Sequence, residues 1–180
     1  MSSANRYLPS YNLADYQQWE GRWELMEGIP IAMTPSPFGK HQHLSLQIVQ
    51  LLARAVERVT GELSVLYELD WIVSDNTVVR PDVVLLCGAP PERHIAQPPA
   101  LIAEVLSPAT RERDLNYKKE LYCRLGVLYY LTADPDSRSF EFWHNVDKQS
   151  AVAVSINAAL TLHVCDACEV MVDFSTLSRS

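Results

Sequence analysis

Asp82 and Glu104 are single acids beside apolar runs, Val83-Val84-Leu85-Leu86 after the first and Leu101-Ile102-Ala103 before the second. A carboxylate in such a run is costly unless it is protonated, paired or bound to a metal. The two acids lie 22 residues apart. If their runs are neighbouring strands, both carboxylates converge on one hard cation that takes oxygen ligands. The alternative gives each acid its own basic partner, Arg80 for one and a lysine of the following helix for the other. That helix carries Lys118 and Lys119. If it crosses back over the sheet, one ammonium returns to the mouth between the acids, where it orients a water and stabilises developing negative charge.

The elements that must position these groups are legible as periodicities. Arg22 to Gly28 and Ile29 to Met33 read as a β-hairpin with an acidic-glycine corner, broken by Thr34-Pro35-Ser36-Pro37. From His41 to Thr60, Leu44, Ile48, Leu51, Leu52, Ala55 and Val59 form one helical face, with Gly61 as its stop. Val65 to Val73 alternates as a strand, and Val78 to Cys87 follows as a second strand with Arg80 and Asp82 on one face at its start. A proline-rich loop, Ala89 to Pro99, leads to a third strand, Ala100 to Leu106, stopped by Ser107-Pro108. Thr110 to Leu125 is the second helix, ended by Gly126. Leu128 to Ala133 and Ser139 to Asn145 are strands joined through Asp134-Pro135-Asp136, and 151–177 holds a further strand pair and a packing tail. The class is α/β of the α+β kind.

Composition bounds the function. A chain of 180 residues, 48% hydrophobic and 21% charged, suits one domain. We expect an arm over 1–15, the domain over 16–177 and a tail over 178–180. No run approaches the roughly 18 apolar residues of a membrane span, and Met1 to Ser10 lacks the pattern of a signal peptide. A cytoplasmic protein without membrane contact is expected. A net charge of −7 and a pI near 5.2 argue against non-specific coating of nucleic acid, which needs many basic contacts. A local basic strip remains compatible with nuclease chemistry. Between Arg111 and Arg124, five basic residues face three acids, either a phosphate-attracting surplus or a solvated, locally paired helix face. Cys87, Cys123, Cys165 and Cys168 read as reduced thiols. Cys165 and Cys168 form a Cys-x-x-Cys pair near His163, but no second pair completes a zinc site. Trp71, Phe140, Phe142 and Trp143 have the spacing of strand core.

In their order, Trp23-Glu24-Leu25-Met26-Glu27-Gly28, Pro35-Ser36-Pro37 with His41-Gln42, Val79-Arg80-Pro81-Asp82-Val83, Ala103-Glu104-Val105-Leu106-Ser107-Pro108, Asp114 with Lys118 and Tyr122, and Gly126-Val127 with Asp134-Pro135 resemble the Uma-two (Uma2) family of restriction-endonuclease-like proteins. The similarity spans Tyr16 to Val146. It implies a PD-(D/E)xK nuclease fold, a mixed central β-sheet flanked by helices with an N-terminal β-hairpin. It also implies Asp82 and Glu104 as metal ligands, with the Val105 backbone carbonyl as a third contact. Leu106 occupies the usual lysine position, and Lys118 matches the replacement lysine on the next helix, with Lys119 as its alternative. Glu24 matches the upstream acid, and Glu27 competes with it because the usual acid after Gly28 is Ile29. His41 matches a family histidine that either approaches the metal or phosphate or caps its helix. Arg80 is a further supporting residue.

The expected activity is that of an endonuclease using Mg2+ or Mn2+, acting on nucleic acid with DNA favoured over RNA, as a homodimer. The rival is a nucleic-acid-binding or regulatory protein that kept the fold and lost turnover. A third reading is a structural oligomer with a buried ionic cluster.

Overall fold

Glu27 and Gly28 both have positive φ (51° and 84°), the conformation of a two-residue hairpin turn, and they join β1 (Trp23–Met26) to β2 (Ile29–Ala32). The computed structural model describes residues 9–33, 39–156, 158–165 and 168–178; the Pro35-Ser36-Pro37 element and Asp166-Ala167 lie outside them. A short helix, α1 (Leu13–Tyr16), precedes the hairpin, and its approach is held by Tyr11 N–H on the Gly28 carbonyl and Leu13 N–H on the Asp75 carbonyl. β1 also pairs with β5 (Thr77–Val79), which pairs with β4 (Trp71–Ser74), giving an antiparallel sheet in the order β2-β1-β5-β4.

The larger sheet is mixed. β3 (Leu63–Tyr67), β6 (Val83–Cys87), β7 (Leu101–Val105), β8 (Tyr129–Ala133), β9 (Phe140–Asn145) and β10 (Ala151–Val154) follow the order β10-β9-β8-β7-β6-β3. Only β7 and β8 run parallel, and the helical segment between them makes the crossover that parallel strands need. That segment is α3 (Arg111–Arg113), a π-helical turn (Asp114–Lys118) and α4 (Lys119–Leu125), closed by Gly126 at φ 90°.

Strand alternation divides the core between the sheet's two faces. Val83, Leu85, Leu101, Ala103 and Val105 meet α2 (Gly39–Val56) through Leu44, Ile48 and Leu52, together with the hairpin β11 (Leu160–Val164) and β12 (Cys168–Val172) and Phe174. Val84, Leu86 and Ile102 meet Leu121 and Tyr122 of α4, Trp71 and Ile95. Each fully buried Leu or Ile contributes about 1.5–3 kcal/mol. Trp71 and Phe142 are core as expected, whereas Phe140 and Trp143 are partly exposed at its margin.

Three expectations need correction. The single strands over Val65 to Val73 and Val78 to Cys87 are each two strands in different sheets. The first bends at Glu68, whose φ is 49°, and the second at Arg80-Pro81-Asp82, where Pro81 has no N–H to continue a ladder. The two bends are tied together by Glu68 N–H on the Asp82 carbonyl (3.1 Å). The long helix ends at Val56 rather than Gly61, its path tightening through Arg58 N–H on the Ala55 carbonyl and Val59 N–H on the Val56 carbonyl. Gly61 serves packing instead, because a Cβ there would lie 2.7 Å from the Cys168 Sγ. Last, Cys87 and Cys165 are not reduced thiols but a disulfide with Cα atoms 5.6 Å apart, joining the end of β6 to the end of β11. Compartment reasoning could not see that the fold brings together residues 78 apart. The bond also removes one thiolate from the Cys165-x-x-Cys168 pair.

Alkylation of the unreduced, denatured protein should therefore label Cys123 and Cys168 alone, and all four cysteines after reduction. Reduction should lower stability by about 2–4 kcal/mol by freeing a long loop in the unfolded chain. Four labelled thiols before reduction would contradict the pairing.

Candidate active site

The β6–β7 register pairs Val83 with Ala103, so one step further sets Asp82 opposite Glu104. The two acids are then locked by each other's backbone. Asp82 N–H donates to Glu104 Oε2 (3.3 Å), and Val105 N–H donates to Asp82 Oδ2 (2.7 Å). The bend at Pro81 makes this possible, because the N–H groups on either side of it are freed from strand pairing. Asp82 N–H goes to Glu104, and Arg80 N–H goes to Glu24 Oε1 (2.9 Å).

Glu24, on β1, is fully buried. Glu27 is exposed at the hairpin turn, so Glu24 is the first-segment acid that points inward. The crossover helix supplies the charge that holds these acids. Lys118 Nζ, 3% exposed, lies 2.8 Å from Glu24 Oε1, 3.0 Å from Glu104 Oε1 and 3.5 Å from Asp114 Oδ1. Tyr122 donates its hydroxyl to the same Glu104 Oε1 at 2.9 Å, and Arg113 Nη2 is 3.5 Å from Glu24 Oε2.

Asp114 is a site residue beyond those expected from the sequence. Its signal is the recurrence of polar Asp114, Lys118 and Tyr122 every four residues on one helical face. The π-helical turn falls on that stretch, a feature that recurs at functional sites.

His41, in the first turn of α2, approaches from the sheet's other face. Its Nε2 lies 3.5 Å from Asp82 Oδ2, and it lines the same pocket as Val105. It thus touches one of the oxygen sources expected to hold a cation and stands near a second. Arg80 does not pair with Asp82. Its Nε donates to Asp70 Oδ1 (2.6 Å), and Tyr16 fixes Asp70 through a hydroxyl bond of 2.9 Å. Lys119 stands away from the acids, 3.1 Å above the Trp143 ring. Of the five basic residues of this stretch, Arg111 pairs with Asp134, Arg113 and Lys118 turn into the site, and Lys119 covers an aromatic ring, so no continuous basic strip forms.

The electrostatics follow from burial. Burial pushes the Glu104 carboxyl well above its ordinary range, opposed by Lys118 and reinforced by Asp114, Asp82 and Glu24. Asp114 is raised for the same first reason, with Lys118 and Thr110 opposing. Burial works against the Lys118 charge, yet Glu104, Glu24 and Asp114 together carry its pKa well above normal. The His41 imidazole also loses by burial, but Asp82 and the Val105 backbone outweigh that loss and raise it.

A pocket of about 80 Å³ opens over this floor, lined by His41, Arg80, Asp82, Glu104, Arg113 and Lys118 among others. Its donors fit a hard divalent cation in three respects. Asp82, Glu104 and the Val105 carbonyl offer oxygen only. Four carboxylates (Glu24, Asp82, Glu104 and Asp114) stand against Lys118 and Arg113, an excess of negative charge. Glu24 Oε2 and Asp114 Oδ1 are buried with no hydrogen-bond partner. Among the described residues, no three His, Cys, Asp or Glu side chains form a ready-made cage. Two carboxylates and a carbonyl suit Mg2+, which keeps several of its waters.

Comparison with known proteins places the chain by family and by fold. The model of the Uma2 family, described as "Putative restriction endonuclease", matches residues 13–173. A solved structure described as a putative nuclease belonging to DUF820 from Anabaena variabilis ATCC 29413 shares the fold, with a TM-score of 0.65 at 18% identity over 83% of this chain and 87% of that one. The comparison with curated proteins found no match.

Two outcomes follow from the cluster. Lys118→Met should cost about 3–5 kcal/mol near neutral pH, because it strands buried carboxylates without a partner. A group whose folded pKa is raised contributes stability that is complete below its unfolded value and is lost as pH rises through the folded one. Glu104 and Asp114, with ordinary values of 4.5 and 3.8, both act in that sense. Urea midpoints of the cation-free protein should fall as pH rises above about 5, and Glu104→Gln should flatten the fall. Parallel curves for the two proteins would refute the assignment.

Proposed function

The chain belongs to the Uma2 family of putative restriction endonucleases, and from that premise we propose that it hydrolyses phosphodiester bonds of DNA with the help of Mg2+ or Mn2+ held at Asp82, Glu104 and the Val105 carbonyl. The observation that carries the reading is the reciprocal bonding of Asp82 and Glu104, each accepting an N–H from the other's segment, beside the buried Lys118 ammonium. No described helix is long and apolar enough to cross a bilayer.

The residues divide the work by position. Asp82, Glu104 and the Val105 carbonyl would hold the divalent cation, which would supply Lewis acidity for activating water and offsetting charge on the scissile phosphate. Lys118 keeps Glu104 and Glu24 in place and presents a fixed positive charge to the pocket, where it orients the attacking water. Glu24 completes the acidic floor and, through Arg80 N–H, fixes the bend that carries Asp82. Arg113 lines the pocket beside Glu24 and meets a phosphate oxygen arriving from outside. His41 holds Asp82 from the other side, near Val105, and would share that carboxylate with a bound cation.

Mg2+ or Mn2+ at about 100 times its dissociation constant should stabilise the protein by about 2.7 kcal/mol, which for a chain of this size raises Tm by roughly 5–10 °C. Asp82→Ala and Glu104→Ala should abolish both the rise and cleavage of plasmid or oligonucleotide DNA. A Tm unmoved by either ion, together with cleavage undiminished in Asp82→Ala, would overturn the proposal.

A further inference from the structure

The proposed catalytic pocket adjoins a second, more apolar groove of about 330 Å³ that shares His41, Glu68 and Asp82 with it. The new walls are Leu46 and Val49 from α2 and Tyr67 from the end of β3. Tyr67 is 67% exposed and Leu46 53%, among the most exposed large apolar side chains described. They stand at the mouth of a charged site, where solvent-facing apolar surface has no structural use for the core. We propose that this groove receives one unpaired nucleobase, from a nucleotide next to the phosphate held over Asp82, with Tyr67 as the stacking surface. The preferred substrate is then single-stranded or locally opened nucleic acid rather than an intact duplex. The inference rests on the phosphodiester reading given above and adds the form of its substrate.

Charge supports this occupant. A chain with net charge −7 gains little from the sequence-independent phosphate contacts that dominate duplex binding. Of the basic groups near the site, Arg22 is committed to Glu68 at 2.6 Å, Arg80 to Asp70 and Arg111 to Asp134, so few besides Arg113 are left to meet phosphates. Affinity must come from contacts that do not depend on free cations, and stacking of a base on an aromatic ring is such a contact, indifferent to sequence because every base has a π-face. The groove's apolar walls suit the faces of a base, while Gln42, which also lines it, offers an amide to the base edge. A paired base inside a duplex is stacked on both sides and out of reach. Sharing three residues with the catalytic pocket places the groove within one nucleotide of the acids.

The test is fluorescence anisotropy with a labelled oligonucleotide, as a single strand and as its duplex, in Ca2+, for the natural protein, Tyr67→Ala and Tyr67→Phe. The natural protein should bind the single strand more tightly. Tyr67→Ala should weaken that binding by about 5- to 100-fold with duplex binding unmoved, and Tyr67→Phe should restore it. Equal single-strand affinity for Tyr67→Ala and the natural protein would overturn the proposal. So would sedimentation showing that Tyr67→Ala converts a dimer to a monomer, since a second copy would then cover the groove. The Mg2+-induced rise in Tm, read in parallel, separates the two claims. A rise without the Tyr67 effect sinks the base groove alone, whereas no rise in the natural protein together with cleavage undiminished in Asp82→Ala sinks the phosphodiester reading itself.

Discussion

The Lys118 ammonium is buried within 3.5 Å of Glu24, Glu104 and Asp114, and most of the site's geometry answers to the need to keep that charge satisfied. Three segments distant in sequence meet there: the N-terminal hairpin through Glu24, the central sheet through Glu104 and the crossover helix through Lys118 and Asp114. Such a cluster contributes little net stability, because desolvation offsets most of the Coulombic gain. Its value is positional. Removing any member leaves an unpaired buried charge, so the hairpin, sheet and helix are held in one mutual arrangement.

The bend at Arg80-Pro81-Asp82 is the second requirement. By carrying the chain from the small sheet to the large one, it withdraws two backbone N–H groups from strand ladders and offers them to Glu24 and Glu104. Pro81 makes the withdrawal cheap, because it has no N–H to lose. The resulting excess of carboxylates over cations is unfavourable without a further positive charge, and the proposed divalent cation would supply it.

Much of this was legible in the residues. Lone acids in apolar runs marked Asp82 and Glu104, the following helix offered Lys118 and Lys119 as the ammonium returned to them, and the family resemblance singled out Lys118. The hairpin, the helix between two strands and the Gly126 stop follow from local pattern. What local pattern could not reveal was tertiary. Apolar alternation runs straight through Glu68 and Pro81, so each bent pair of strands reads as one. Arg80 lies two residues from Asp82 yet is claimed by Asp70, which Tyr16 holds in place. Lys119 differs from Lys118 by about 100° of helical rotation, enough to send it to Trp143 rather than to the acids. Compartment reasoning about Cys87 and Cys165 failed because pairing depends on which strand ends the fold brings together.

The most direct measurement is anomalous diffraction from crystals soaked in Mn2+. The account predicts a manganese peak bounded by the Asp82 and Glu104 carboxylates and the Val105 carbonyl, and no peak there in Asp82→Ala crystals. Manganese bound only elsewhere, or a peak at this position that survives Asp82→Ala, would contradict it.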